Sequence, residues 1–380
     1  MNFSVFLRLV PLFLSVFPLF AMDSVTFLDR GKEREDEGRI VLEASDGTAF
    51  EGRDGQYFII RPESLRSKRS DDKEFAPYLW KEIKIRLKNE FPESGGWEIH
   101  ETDNFFVVYL TSKAFAQWYG QLLEKLYKGY TSFWKGEGLT LKKPDFPLVA
   151  VVLTNSDQFI RFAKIEGFTM IPGQCAYYNK ATNRIVMCDL TGSETQRQND
   201  KSRASSRDIQ TFLSQPNAAY NVASVIHEAV HLVGFNTGVH PRFAPVPLWL
   251  CEGLAVFHEV PDRGKKAGWS IAPKVNDNRL LWLRRYLRTQ PAEPLQTVIR
   301  ADKPFNEADS AGNSYAVAWG LTYYLAKQRP KDLAAYLKKM QTKTVLSKDS
   351  PEIRIEEFEK CFGSDWDKLT KECWNYLGKL

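Results

Sequence analysis

The stretch Asn221–Phe235, NVASVIHEAVHLVGF, decides how the rest of the chain is read. It contains His227-Glu228-Ala229-Val230-His231. On a helix, residues four apart lie one turn apart on one face, so both imidazoles can reach one metal ion. Glu228 is rotated by about 100° from His227, which aims its carboxylate beside an ion rather than at it. The flanking residues Val222, Val225, Ile226, Ala229, Val230, Leu232 and Val233 are apolar on most sides, which predicts a buried helix. The chain has five histidines. Two of them at this spacing around an acid rarely arise by chance.

A reactive metal site usually has three protein ligands and one open position. Three residues compete for the third place. Glu252 lies 21 positions after His231, on an apolar segment, Pro247–Val260, that reads as a second helix. His240 lies nine positions after His231, in the connection. His258 follows Glu252 by six, about 240° around the same helix, so the two do not face one ion together. A longer pattern, His-Glu-x-x-His-x-x-Gly-x-x-His, would place its last ligand at 237, but that residue is Thr237. A two-His-plus-Glu set favours Glu252, with His240 as the competitor.

At 380 residues, 43% of them hydrophobic and 26% charged, the chain can bury a substantial core. A net charge of +5 is mild, and no dense basic run interleaves with aromatics, so nucleic acid is not an expected partner. Residues 1–22 read as an export signal, with Arg8, an apolar Leu9–Phe20 and cleavage near Ala21. The apolar run is shorter than a membrane span requires, so no stable span is expected in the mature chain. The expected location is periplasmic or extracellular, where cysteines can oxidise.

The predicted fold class is α+β. Residues 23–66 form a small β-meander with strands IVLE, TAFE and QYFII, and Arg66–Lys73 reads as a solvated linker. Residues 74–260 form the α/β part. It holds strands at Trp97–His100, Phe105–Leu110 and Phe146–Leu153, and helices at Ser112–Lys135 and Ser156–Ile165. A hairpin of Gln174–Asn179 with Arg184–Asp189 would set Cys175 opposite Cys188. Read as a pair without mutual hydrogen bonds, these cysteines are expected to form a disulfide. A second bridge, Cys361–Cys373, is less well supported. Thr191–Pro216 is too long for an ordinary connection and reads as a mobile lid or an insertion. Residues 261–380 are expected to be helical.

The two motifs His227–His231 and Trp249-Leu250-Cys251-Glu252-Gly253-Leu254-Ala255 together resemble the gluzincin class of zinc metallopeptidases. FPLVAVVLTNSDQF, YYNKATNRIVMCDLTG and the Arg39–Ile60 meander extend the similarity to an uncharacterised family of secreted gluzincin-like proteins, found largely in planctomycete bacteria. The resemblance implies a thermolysin-like domain: a small mixed sheet, an active-site helix, then a helical half. It implies one Zn²⁺ per chain on His227, His231 and Glu252, Glu228 as general base, and Tyr315 as oxyanion donor. The implied substrate is a peptide or protein pairing with an exposed edge strand, for which Arg184–Asp189 is the candidate. Two departures stand out. The Gly-x-Met-Glu-Asn stretch of gluzincin aminopeptidases is absent. Val256 stands where thermolysin-like enzymes carry an Asp that orients a ligand His, and Glu259 is the nearest substitute. Two other uses fit the same motifs: a zinc amidase acting on cell-wall peptides, and a catalytically silent cleft that binds a partner or cell-surface component.

Overall fold

The computed structural model describes residues 21–170, 173–191, 205–260 and 273–380. The expected export signal up to residue 20, and residues 192–204 of the expected lid, lie outside them. Among the described residues no helix is long and apolar enough to cross a membrane.

The first sheet is antiparallel: β1 (Ala21–Asp29), β2 (Lys32–Ala44), β3 (Gly47–Gly52), β4 (Tyr57–Ile60) and β5 (Leu65–Glu74), in the order β4-β3-β2-β1-β5. It has its own small core of Val25, Phe27, Phe50 and Ile60. The β1–β2 turn is made by Arg30 (φ 52°) and Gly31 (φ 81°), the paired positive values that suit the twist of a two-residue hairpin. Arg66–Lys73 is not a linker, because it forms most of β5, paired only with β1. Its charges fit an edge strand, where they discourage pairing with other chains. Alternation on one face of β5 is too polar to read as a strand, but Ser70 donates a hydrogen bond to the buried Asp23 of β1. The sheet is tied to the rest of the molecule by Tyr57 N–H to the Ala181 carbonyl (2.7 Å) and by Arg242 to the Gly55 carbonyl (2.6 Å).

The second sheet is mixed: β6 (Glu98–Glu101), β7 (Phe105–Tyr109), β8 (Leu148–Leu153), β9 (Ala176–Asn179) and β10 (Arg184–Cys188), in the order β6-β7-β8-β10-β9. Strands β7, β8 and β10 are parallel neighbours, and β8 is buried throughout, as a central parallel strand should be. The helix Lys113–Gly136, capped by Ser112, connects β7 to β8. The helix Ser156–Ile165, capped by Asn155, follows β8. The crossover brings β10 alongside β8, so the expected edge strand Arg184–Asp189 is interior. Its hairpin partner β9 takes the edge instead.

The hairpin register is the one expected, Arg184 opposite Asn179 through Met187 opposite Ala176. The disulfide is not present, and all five cysteines are thiols. Cys188 N–H donates to the Cys175 carbonyl (3.1 Å), so the two form a hydrogen-bonded pair and not the expected pair without mutual hydrogen bonds. The thiols turn to carbonyls instead of each other, Cys175 Sγ to Asn221 and Cys188 Sγ to Cys175. Within the expected lid, Ser206–Leu213 is a helix opened by a Ser205/Asp208 capping box, with Ile209 and Phe212 buried.

After His231 the described residues carry helices: Leu248–His258, Asp277–Leu287, Pro294–Arg300, Lys303–Asn306, Ala308–Gln328, Pro330–Gln341, Pro351–Phe362 and Trp366–Gly378. The molecule is therefore α+β, with one continuous core running from the second sheet into these helices.

Candidate metal centre

His227, Glu228 and His231 lie on the helix Ala218–Asn236, which packs against β8, β9 and β10 and against Lys113–Gly136. Glu252 comes from the next helix, Leu248–His258. That helix is pressed against Ala308–Gln328 at Gly253. A Cβ there would sit 2.2 Å from Thr322 Oγ1 and 2.9 Å from the Ala318 carbonyl. Any larger residue would push the two helices apart, so the Gly next to Glu252 sets how closely Tyr315 approaches it.

The three donor atoms converge. His227 Nε2 lies 3.1 Å from Glu252 Oε2 and 3.2 Å from His231 Nε2, and His231 Nε2 lies 3.5 Å from Glu252 Oε2. A tetrahedral ion with bonds of about 2.0–2.1 Å places its ligand atoms about 3.3–3.4 Å apart, so the triangle has the size one ion requires. Among the described residues, His227, His231 and Glu252 are the group that could hold a metal ion. His227 Nδ1 faces Glu259 Oε2 at 2.8 Å, which places its proton on Nδ1 and turns the Nε2 lone pair toward the centre. Glu259 Oε1 in turn accepts from Asn276 Nδ2 (2.9 Å).

The same geometry shifts His227, Glu252, Glu228 and Tyr315. Burial alone would lower the His227 pKa, but its bonds to Glu252 and Glu259 outweigh burial and hold it well above the usual histidine value. Burial would raise Glu252, yet His231 and His227 pull it well below the usual carboxylate range. Glu228 moves the other way. Burial raises its pKa, against the opposing pull of the two imidazoles. Its Oε2 accepts the Tyr178 N–H of β9 at 2.8 Å. Tyr315 stands beside Glu252, whose charge, with burial, lifts its hydroxyl well above the ordinary tyrosine range. The Tyr315 ring is 6.4 Å from that of His227 and lies beneath the Arg279 guanidinium.

The competing histidines are elsewhere. His240 is buried against Phe235, ring centroids 4.4 Å apart. His258 sits among Tyr130, Phe133, Trp134 and Phe257. Sequence reading missed Tyr178, Asn276 and Arg279. Tyr178 contributes a backbone N–H, which leaves no trace in residue identity. Asn276 is visible only as a helix N-cap, and its Oδ1 does accept from Arg279 N–H. A cavity of about 420 Å³ lies away from this centre, between the first sheet and Trp80–Glu90. Its arginines are already paired, Arg184 with Glu90 and Arg86 with Asp36.

No curated protein matches the chain. The profile of an uncharacterised family, described as protein of unknown function (DUF1570), matches residues 221–347, the segment that carries His227, Glu228, His231, Glu252 and Tyr315.

Proposed function

We propose that the chain is an exported, zinc-dependent peptidase of the gluzincin type, built on a thermolysin-like arrangement of sheet, active-site helix and helical half. The observation that carries this reading is the donor triangle of 3.1, 3.2 and 3.5 Å with the carboxylate of Glu228 beside it. A purely structural metal site has no use for that fourth, non-ligating acid.

His227, His231 and Glu252 would hold the ion, with Glu259 fixing the His227 ring. When bound, zinc lowers the pKa of water to about 7 and polarises a carbonyl oxygen. Glu228 receives the water proton. Its apolar surroundings favour the protonated acid, and the Tyr178 N–H anchors one of its oxygens, so the other is held in a fixed direction. The same acid then returns the proton to the leaving nitrogen. Tyr315, neutral at any physiological pH, is a hydroxyl donor beside the reacting carbonyl oxygen. A peptide would add to β9, whose unpaired side faces this centre at Tyr178.

The test pairs metal analysis of the purified chain with digestion of a mixed peptide library, using Glu228→Gln as control. One zinc per chain, with cleavage by the wild type only, supports the reading. Zinc retained without cleavage by either protein would instead make the cleft a binding site.

A further inference from the structure

The helix Asp277–Leu287 has two unlike faces. Its inner face buries Leu280 and Leu283 and, through Asn276 and Arg279 at its start, touches the metal centre. Its outer face carries Leu281 and Trp282, each 50% exposed, with exposed Arg284, Arg285 and Arg288. Taking Leu281 as zero, Arg285 lies at about +40°, Arg288 at about −20°, Arg284 at about −60° and Trp282 at about +100° on the helical wheel. Leu281 thus has three guanidinium groups on its C-terminal side, and none of the three is in an ion pair with a described residue. Two described acids flank the start of the helix: Asp277 on the same face, and Asp309 one turn before Asn313, which accepts the Trp282 Nε1 hydrogen bond.

Cations near a helix C-terminus are favourable by themselves, and one edge of Trp282 packs on Gly312 and bonds Asn313, but neither accounts for the exposed Leu281 beside the exposed part of the indole. Apolar side chains flanked by arginines match a surface with anionic charge outside and hydrocarbon just beneath. At such a surface Trp settles at headgroup level and Leu inserts. A soluble polyanion would satisfy the arginines and leave Leu281 in water. We propose that this face docks the protein on membranes rich in anionic lipid, which would hold the metal centre beside the bilayer. The proposal is independent of whether the centre hydrolyses peptides.

All described elements begin at Ala21, so the chain is tested without residues 1–20, the expected export signal. Flotation is measured with vesicles of phosphatidylcholine, with and without phosphatidylglycerol. The chain should bind only the anionic vesicles. Each arginine contributes about a fivefold change in partitioning, so Arg284→Glu with Arg285→Glu and Arg288→Glu should weaken binding by at least about a hundredfold. Leu281→Asn should weaken it several-fold. Unchanged melting temperatures would show that the variants are folded, since every changed side chain is exposed. Absence of binding to anionic vesicles overturns the proposal, as does equal binding by the triple variant. Binding that Leu281→Asn leaves intact, and that soluble polyphosphate abolishes, would overturn it in favour of a polyanion partner.

Discussion

Four of the five histidines lie between residues 227 and 258, and they occupy two opposite environments. His227 and His231 face Glu252, with Glu259 behind His227. His240 and His258 are more deeply buried, against aromatic rings. Burial does not separate the two pairs; the carboxylates do. They reverse the effect of desolvation on His227, raising its pKa, whereas His240 and His258 are pushed down to about 3 by burial. The first pair is arranged to hold a positive charge between its rings, the second to stay neutral. On the proposed reading, what suits a buried histidine to be a ligand is its acidic neighbours.

The strongest way to break this comparison is to leave the ligands and remove the acid beside them. Glu228→Gln should keep its zinc and lower kcat by about 10²–10⁴, because an amide cannot take the water proton. Equal rates for variant and wild type on any cleaved peptide would remove Glu228 from the chemistry. The next effect is on metal. Glu252→Ala should lose most of its zinc in equilibrium dialysis while His240→Ala and His258→Phe keep theirs. The reverse result would exchange the two groups of histidines. Smaller still is the effect of Glu259→Gln, which keeps a hydrogen bond to His227 but loses the charge. Loss of such an outer partner weakens metal affinity by about 10–100-fold. Zinc affinity equal to wild type would make the Glu259–His227 contact incidental.

Local patterns carried much of this in advance. The spacing His227 to His231 and the apolar flanks marked one helix, and the turn at Lys180–Asn183 set the register of β9 and β10. What stayed hidden depends on parts distant in sequence. β10 became interior because a crossover laid it against β8, and no feature of RIVMC itself states that. β5 reads as charged and irregular, since its pairing with β1 rests on backbone bonds and one buried acid, Asp23. Cys175 and Cys188 do lie opposite each other, but the hairpin's hydrogen-bond phase and the carbonyls that receive the two thiols are not written in the loop length. Glu259 was legible as the nearest substitute for an acid that orients a ligand His, and it does meet His227 Nδ1. Its partner Asn276 lies beyond a stretch outside the described residues.

The neutral pair has a consequence of its own in acid. In the unfolded chain His240 and His258 take up protons near pH 6.5, whereas in the folded protein they do so only near pH 3. Between those values the unfolded state binds more protons, so stability is full above about pH 6.5 and falls as the pH drops toward 3. At pH 5 each histidine costs on the order of 2 kcal/mol, from 1.36 kcal/mol per unit over the interval below 6.5. His258→Phe should remove one of the two contributions. A phenyl ring suits the company of Tyr130, Phe133 and Trp134, so the variant should unfold in urea near wild type at pH 7.5 and later than wild type at pH 5. Zinc at the proposed centre would complicate acid unfolding, because it would leave as its ligands protonate. Both proteins are therefore compared with zinc removed. The raised His227 then titrates identically in each, and only the difference between the two curves is read. A difference that is constant from pH 7.5 to pH 5 would mean that His258 is not held neutral, and the division of the histidines by their carboxylates would lose half its support.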